Sequence, residues 1–331
     1  MSKEILFGLA LCAVLPVLAV PADAQSPARM VRIGYLDGST SVTNAVFLES
    51  FRQELGKLGW SEGKNIQVEY RYADQKPARL PELAADLVRL NVELIVCAST
   101  PPVLATKRAT TTIPIVMLRS GDPVATGLVA GLARPGGNVT GLAGLSPQLI
   151  TKRLEILKET VPRLARAGVL MFRGGPGVSQ ELQLKEIEGA AAALQVKIVE
   201  IEIKIDPEGL DSAFRTAKKK QADALIPVAS GPISNVRKRI GELAVKYRFP
   251  VIYSEDEFVE AGGLMSYGPD SDDLYRRGAH YVDKILRGTR PSDLPVEQPT
   301  KFELVINLKT AKQIGLTIPD SVLYRADRII K

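Results

Sequence analysis

Apolar residues recur along this chain in two alternating rhythms. Residues 31–35 (Val-Arg-Ile-Gly-Tyr) form a short apolar run that predicts a strand, closed by the polar turn Asp37-Gly38-Ser39-Thr40. Phe47, Phe51, Leu55 and Leu58 then fall at helical spacing, and Gly59 stops them. Ile66, Val68 and Tyr70 alternate with polar residues, Leu80, Leu83 and Leu87 resume the helical spacing, and residues 92–98 are an apolar run. Ser99-Thr100-Pro101 opens the next helix. A β-α-β-α order of this kind predicts a parallel sheet covered by helices on both faces.

Residues 113–142 are the most informative stretch. An apolar run ending at Leu118 predicts a buried strand, Ser120-Gly121-Asp122-Pro123 a turn, and 124–132 a short apolar helix. Arg134-Pro135-Gly136-Gly137 breaks it, and 138–142 predicts a second strand that leaves one lobe for another. Beyond it the rhythm resumes. Ile150, Leu154, Leu157 and Val161 line a helix, and 167–172, 196–203, 224–228 and 250–253 predict strands separated by helices. Leu210, Phe214 and Ala217 face inward from one of those helices. The remaining pieces, from Gly262-Gly263 to the C-terminus, are too small for a third domain. They are expected to complete the two units, so that the chain crosses between them more than once.

The first 24 residues read differently. Lys3, an apolar run from Ile5 to Val20 and the small-x-small triplet Ala22-Asp23-Ala24 match a secretory leader cleaved before Gln25, so export is expected. The whole chain has 331 residues, 45% hydrophobic and 24% charged, with a formal net charge of +6. Its basic residues are dispersed, with no aromatic-interleaved stripe, so nucleic acid is not an expected partner. After the leader a single cysteine remains, Cys97 in an apolar strand, which predicts a buried thiol and no internal disulfide. The one histidine, His280, shares a helical face with Asp273, Arg277 and Lys284 and is expected on the solvent side. One histidine and one cysteine supply neither a Ser-His-Asp triad nor the usual zinc ligands. No catalytic residue, metal or cofactor is expected.

Candidate chemistry therefore rests on polar turns at strand ends, which lie along one edge of a parallel sheet beside helix N-termini. Ser39, Ser99, Thr100 and Asp122 occupy such turns in the first unit, and Arg173, Ser230, Ser254 and Asp256 in the second. Tyr35, Phe172, Tyr253 and Tyr267 are the aromatic residues near these ends. Each polar residue also suits a helix cap, Asp122 before Pro123 most of all. Together they predict a ligand cleft between two facing edges. Residues 173–180 (RGGPGVSQ) match a dinucleotide-binding pattern only in part. The acidic turn Glu255-Asp256-Glu257 suits either a calcium ion or the first turn of a helix.

Long phrases carry a family resemblance. SGDPVATGLVAGLARPGGNVTGL, KRLEILKETVP, FVEAGGLMSYGPD, LYRRGAHYVDKILRG and LPVEQPTKFELVINLKTAKQIGLTIP resemble ABC-transporter substrate-binding proteins of the TrpX-like type, over about 31–320. The resemblance implies an α/β fold of two Rossmann-like lobes with parallel sheets, joined by three crossing segments, the type I periplasmic-binding-protein fold. The crossings would fall near 138–141, 263–267 and 300–303. The lobes would then comprise 30–138 with 267–299, and 141–264 with 302–331. It further implies a monomeric, non-enzymatic periplasmic receptor. Such a receptor holds an amino acid or related small organic acid between its lobes and delivers it to a membrane permease driven by a cytoplasmic ATPase. Tyr35, Ser39, Ser99, Thr100, Asp122, Phe172, Arg173, Ser230, Ser254, Asp256 and Tyr267 are the expected ligand-side residues, with Ser266-Tyr267-Gly268 on a crossing strand. Many relatives carry an Asn-Pro-Asn type turn where this chain has Phe172-Arg173-Gly174-Gly175, and a cation there would favour a more acidic ligand. The alternatives are a sensor of the same fold reporting to a signalling partner, and an exported hydrolase using Asp122 and the acidic turn as acid and base.

Overall fold

The computed structural model describes residues 30–144, 147–173 and 178–331. The expected leader and Gly174 to Gly177 of the partial dinucleotide pattern lie outside the described residues. The first unit runs β1 (Val31–Asp37), α1 (Ala45–Lys57), β2 (Ile66–Tyr72), α2 (Leu80–Arg89), β3 (Leu94–Cys97), α3 (Thr100–Ala109), β4 (Ile115–Ser120) and β5 (Val139–Ala143). These strands pair in parallel in the order β2-β1-β3-β4-β5. Leu48, Phe51 and Leu55 bury the inner face of α1, and Phe47 and Leu58 flank that face half-buried.

The second unit begins with α4 (Pro147–Thr160), β6 (Arg166–Met171), α5 (Val178–Ala193), β7 (Lys197–Glu202), α6 (Pro207–Lys219) and β8 (Ala224–Pro227). It continues with α7 (Gly231–Asn235), α8 (Arg237–Lys246), β9 (Ile252–Tyr253), α9 (Glu257–Glu260) and β10 (Met265–Pro269). Then come α10 (Ser271–Leu286), β11 (Phe302–Asn307), α11 (Leu308–Ile314), α12 (Asp320–Leu323) and β12 (Arg328–Ile330). The order β7-β6-β8 meets β9-β10-β11-β12 through one bridge, Leu225 to Val251. Asp206 starts α6 by accepting the Gly209 N–H at 2.8 Å, and Leu210, Ala213, Phe214 and Ala217 turn its apolar face inward.

Apolar layers cover both faces of each sheet, as the alternation of strands and helices requires. One element departs from chain order. Helix α10 follows the second unit, yet Leu274, Tyr275, Ala279, Tyr281 and Val282 are buried in the first unit's core beside Phe51 and Leu118. Gly278 permits this, since a Cβ there would stand 2.2 Å from Leu118 Cδ2.

The chain therefore passes between sheets three times, the first two passages falling a few residues beyond the positions that the resemblance implied. β5 stays hydrogen-bonded to β4 through Ala143, and Thr140 Oγ1 donates to the Leu294 carbonyl at 2.6 Å. β10 stays paired with β11 in the second sheet through Pro269. The return falls between Glu297, which bridges Leu142, and Phe302. A second difference concerns 124–132, which forms turns rather than a helix. Gly127 takes φ +70°, and Lys107 Nζ draws off the Gly127 and Leu128 carbonyls at 2.6 and 3.0 Å, so helical bonding stops there.

Candidate functional site

The C-terminal ends of β1, β3 and β4 in the first lobe, and of β6, β8 and β9 in the second, carry the polar turns. One contact brings the two edges together. Arg119, next to last in β4, places Nη1 3.1 Å from Glu257 Oε1 at the start of α9, and 2.9 Å from Ser271 Oγ at the start of α10. The seam around this pair is the candidate ligand site.

In the first lobe Asp37 organises the turn after β1. Its Oδ1 accepts both the N–H and the hydroxyl of Ser39 at 2.8 Å, and its Oδ2 accepts Asn44 Nδ2 at 2.8 Å and the Tyr35 hydroxyl at 3.2 Å. Tyr35 is 1% exposed and its hydroxyl lies 3.5 Å from that of Tyr275, so its ring belongs to the core. Thr100 Oγ1 accepts the Gly121 N–H at 2.8 Å and ties two turns together, while Ser99 is half-buried without a side-chain capping bond. Asp122 is exposed and acts as a cap, its Oδ1 accepting the N–H groups of Val124 and Ala125 at 3.0 and 2.9 Å.

In the second lobe the Gln180 amide holds the Phe172 backbone at both its N–H and its carbonyl. Arg173 is engaged by two carboxylates. It is exposed at the surface between Glu181 at 3.2 Å and Glu200 at 2.5 Å, which neutralise its charge. The carboxylates of the acidic turn are each taken by a neighbour, and no group of three or more His, Cys, Asp or Glu residues that could hold a metal ion occurs among the described residues. Glu255 accepts the Ser234 hydroxyl at 3.0 Å, Asp256 pairs with Arg328 at 2.5 Å and Glu257 with Arg119. Ser254 is buried against β10, where its carbonyl lies 2.0 Å from the position of a Cβ at Gly268. The half-buried Tyr267 ring lies 6.3 Å from that of Phe302, and its carbonyl accepts Arg153 Nε at 2.8 Å.

Asp37, Arg119, Arg153, Glu255 and Glu257 therefore matter more to this seam than the sequence suggested. Arg119 ends an otherwise apolar strand and Arg153 interrupts the Ile150-Leu154-Leu157 face, and these misplaced charges were the available signal. Six buried side-chain atoms have no hydrogen-bond partner among the described residues: Ser120 Oγ, Arg153 Nη2, Ser230 Oγ, Tyr253 OH, Glu257 Oε2 and Ser266 Oγ. Four lie within a few residues of the C-terminal end of β4, β8 or β9, Ser266 lies on β10, and Arg153 is bonded to β10. Buried orphans of this kind are rare in folded proteins. Away from the seam, His280 pairs with Glu54 at 3.2 Å while 48% exposed. Burial pushes the Cys97 thiol up to about 12, which makes it unreactive.

Charge at the seam is set by burial and by Arg119. Burial acts to raise the Glu257 carboxyl, but Arg119 together with hydrogen bonds from the backbone and Asp256 holds the group below its ordinary range. Burial raises Glu255, and burial with Glu257 nearby pushes Asp256 up to about 7 despite Arg328. A carboxyl raised in this way binds its proton more tightly in the folded state. Its stabilisation is complete below the unfolded value near 3.8 and is lost as pH rises through about 7. Stability should therefore increase by roughly 1–2 kcal/mol between about pH 8 and about pH 5, after discounting for partial exposure. Glu257 contributes in the opposite sense, only at more acidic pH. Urea melts across this window test the point: Asp256→Asn should flatten the rise, and a flat wild-type profile would contradict the assignment.

Comparison with known proteins agrees with this architecture. A family model described as ABC transporter substrate binding protein matches residues 45–330. A tyrosine-binding protein of Clostridioides difficile (strain R20291) is 28% identical over 268 residues, covering 81% of this chain and 76% of the relative. A conserved domain protein from Vibrio cholerae is 29% identical with a TM-score of 0.84, covering 91% of this chain and 100% of the other. Two further structures each also cover 91% of this chain and 100% of their own. An ABC domain from Streptococcus pneumonia in complex with L-Trp gives 0.83 at 24% identity, and a ligand-free, open substrate-binding protein from Clostridium difficile gives 0.69 at 25%. Two α/β lobes, three passages and a match over most of the chain lead to one conclusion: this protein belongs to the ABC transporter substrate-binding proteins and has the type I periplasmic-binding-protein fold.

Proposed function

We propose that this protein captures an amino acid between its lobes and delivers it to the membrane permease of an ABC importer. It would act as a monomer in the periplasm after cleavage of its leader. The observation that carries the ligand assignment is the group of buried side-chain atoms without a partner among the described residues, most of them near these strand ends, which includes hydroxyls, a guanidinium N–H and a carboxylate oxygen. A small zwitterion offers complementary charge at both ends, and the tyrosine-binding relative and the L-Trp-bound neighbour make aromatic amino acids the first to test.

The roles of the expected site residues then divide. Ser99, Ser230, Ser254, Phe172 and Tyr267 are proposed to meet the ligand, and Thr100, Asp122 and Asp256 to shape the turns around it. Tyr35 and Ser39 support the first lobe's edge through Asp37, and Arg173 serves the surface of the second. The test is thermal unfolding against all common amino acids. A true ligand at 100 times its Kd should add about 2.7 kcal/mol, with L-tyrosine and L-tryptophan among the strongest. No shift with any amino acid would refute the assignment.

A further inference from the structure

Arg119 occupies an unusual position. It belongs to the first lobe's sheet, yet its guanidinium is bonded to Glu257 of the second lobe and to Ser271, which opens the helix returning to the first. Its path runs past the first passage between lobes, where a Cβ at Gly144 would stand 2.7 Å from Arg119 Cγ. The side chains of Arg119 and Glu257 are only 16% and 11% exposed, so little solvent screens the pair. Coulomb attraction falls as the inverse of distance and is strongest where water is excluded. Removing the partner of a buried charge is costly, because the remaining charge stays poorly solvated. Separating the lobes at this point would leave Arg119 with the Ser271 hydroxyl and take away the attraction of both Glu255 and Glu257.

We infer that the Arg119–Glu257 pair is a latch that draws the two lobes together before ligand arrives, Arg119 serving as a positioning residue for capture. The inference rests on the two-lobed receptor reading and not on the identity of the ligand. A latch of this kind stabilises the closed arrangement with ligand inside as well as without it, and so holds a captured ligand longer. Its loss should weaken binding chiefly through faster release.

The test measures lobe separation without ligand. Spin labels on Val46→Cys in α1 and Lys219→Cys in α6, both exposed positions, report the distance between lobes. The native Cys97 is 0% exposed and stays unlabelled, in protein beginning at Gln25 and refolded from denaturant to remove any bound molecule. Pulsed electron resonance should find a dominant short distance in the otherwise wild-type protein. With Glu257→Gln, which keeps the volume, the short-distance population should fall by at least half, and Arg119→Met should do the same. If Arg119→Met does not fold, Glu257→Gln combined with Glu255→Gln, which removes both carboxylates facing Arg119, decides the matter. A merely structural pair would lower the melting temperature and leave the distances unchanged, and that result would overturn the latch. Where L-tyrosine proves to bind, Glu257→Gln should raise its dissociation rate about tenfold while changing its association rate little.

Discussion

Gly141→Ala is expected to be severely destabilising, costing about 4 kcal/mol or more. Gly141 sits in β5 with φ +127°, a backbone conformation that side chains other than hydrogen rarely tolerate. A Cβ there would stand 2.2 Å from the Met117 carbonyl oxygen and 2.7 Å from the Met117 nitrogen. Both obstacles are backbone atoms of the neighbouring strand, so no rotamer change relieves them. β4 and β5 would have to part, and with them the Leu142–Glu297 bridge that anchors the third passage. Soluble yield and urea unfolding would measure the loss. A variant within 1 kcal/mol of wild type, on the order of an ordinary surface change, would show that the strand pairing is wrongly described.

Phe214→Ala should cost about 3–5 kcal/mol. Phe214 is fully buried, and its ring lies 5.9 Å from that of Tyr247 and 6.2 Å from that of Phe249. Lys218 Nζ rests 4.1 Å from the centroid of the Phe249 ring. Deleting the central ring leaves a cavity under α6 that helix, strand and cation close only in part. A lower urea midpoint with an unchanged slope is expected, and a change in slope instead would mean that the unfolded or native state had altered in compactness. This core lies on the α6 and α8 side of the second lobe. Ligand affinity under conditions where the variant stays folded should therefore be retained.

Much of the fold was legible because the forces that specify it are local. The helical spacing of Leu210, Phe214 and Ala217 and the apolar run after Pro114 each report which side of an element meets the core. Asp122 was legible as a cap, since the groups it serves are two and three residues ahead. The stretch 124–132 was misread because Lys107, about twenty residues earlier, takes carbonyls that a helix would need. The ion pair of Arg173 with Glu200 was not legible, because Glu200 lies on an adjacent strand rather than nearby in the chain.

The sequence by itself determined that this chain makes two α/β units with polar turns at their strand ends, and its long phrases pointed to the family. Hydrophobic periodicity and capping act over a few residues, so they can be read from a line of text. Only the tertiary structure decided which polar residues are occupied by neighbours and which stand at the seam. Arg119 meets Glu257 across 138 positions, and Arg153 reaches the Tyr267 carbonyl across 114. Electrostatic pairing in a buried seam depends on distance in space and exclusion of water, and neither quantity is written in chain order.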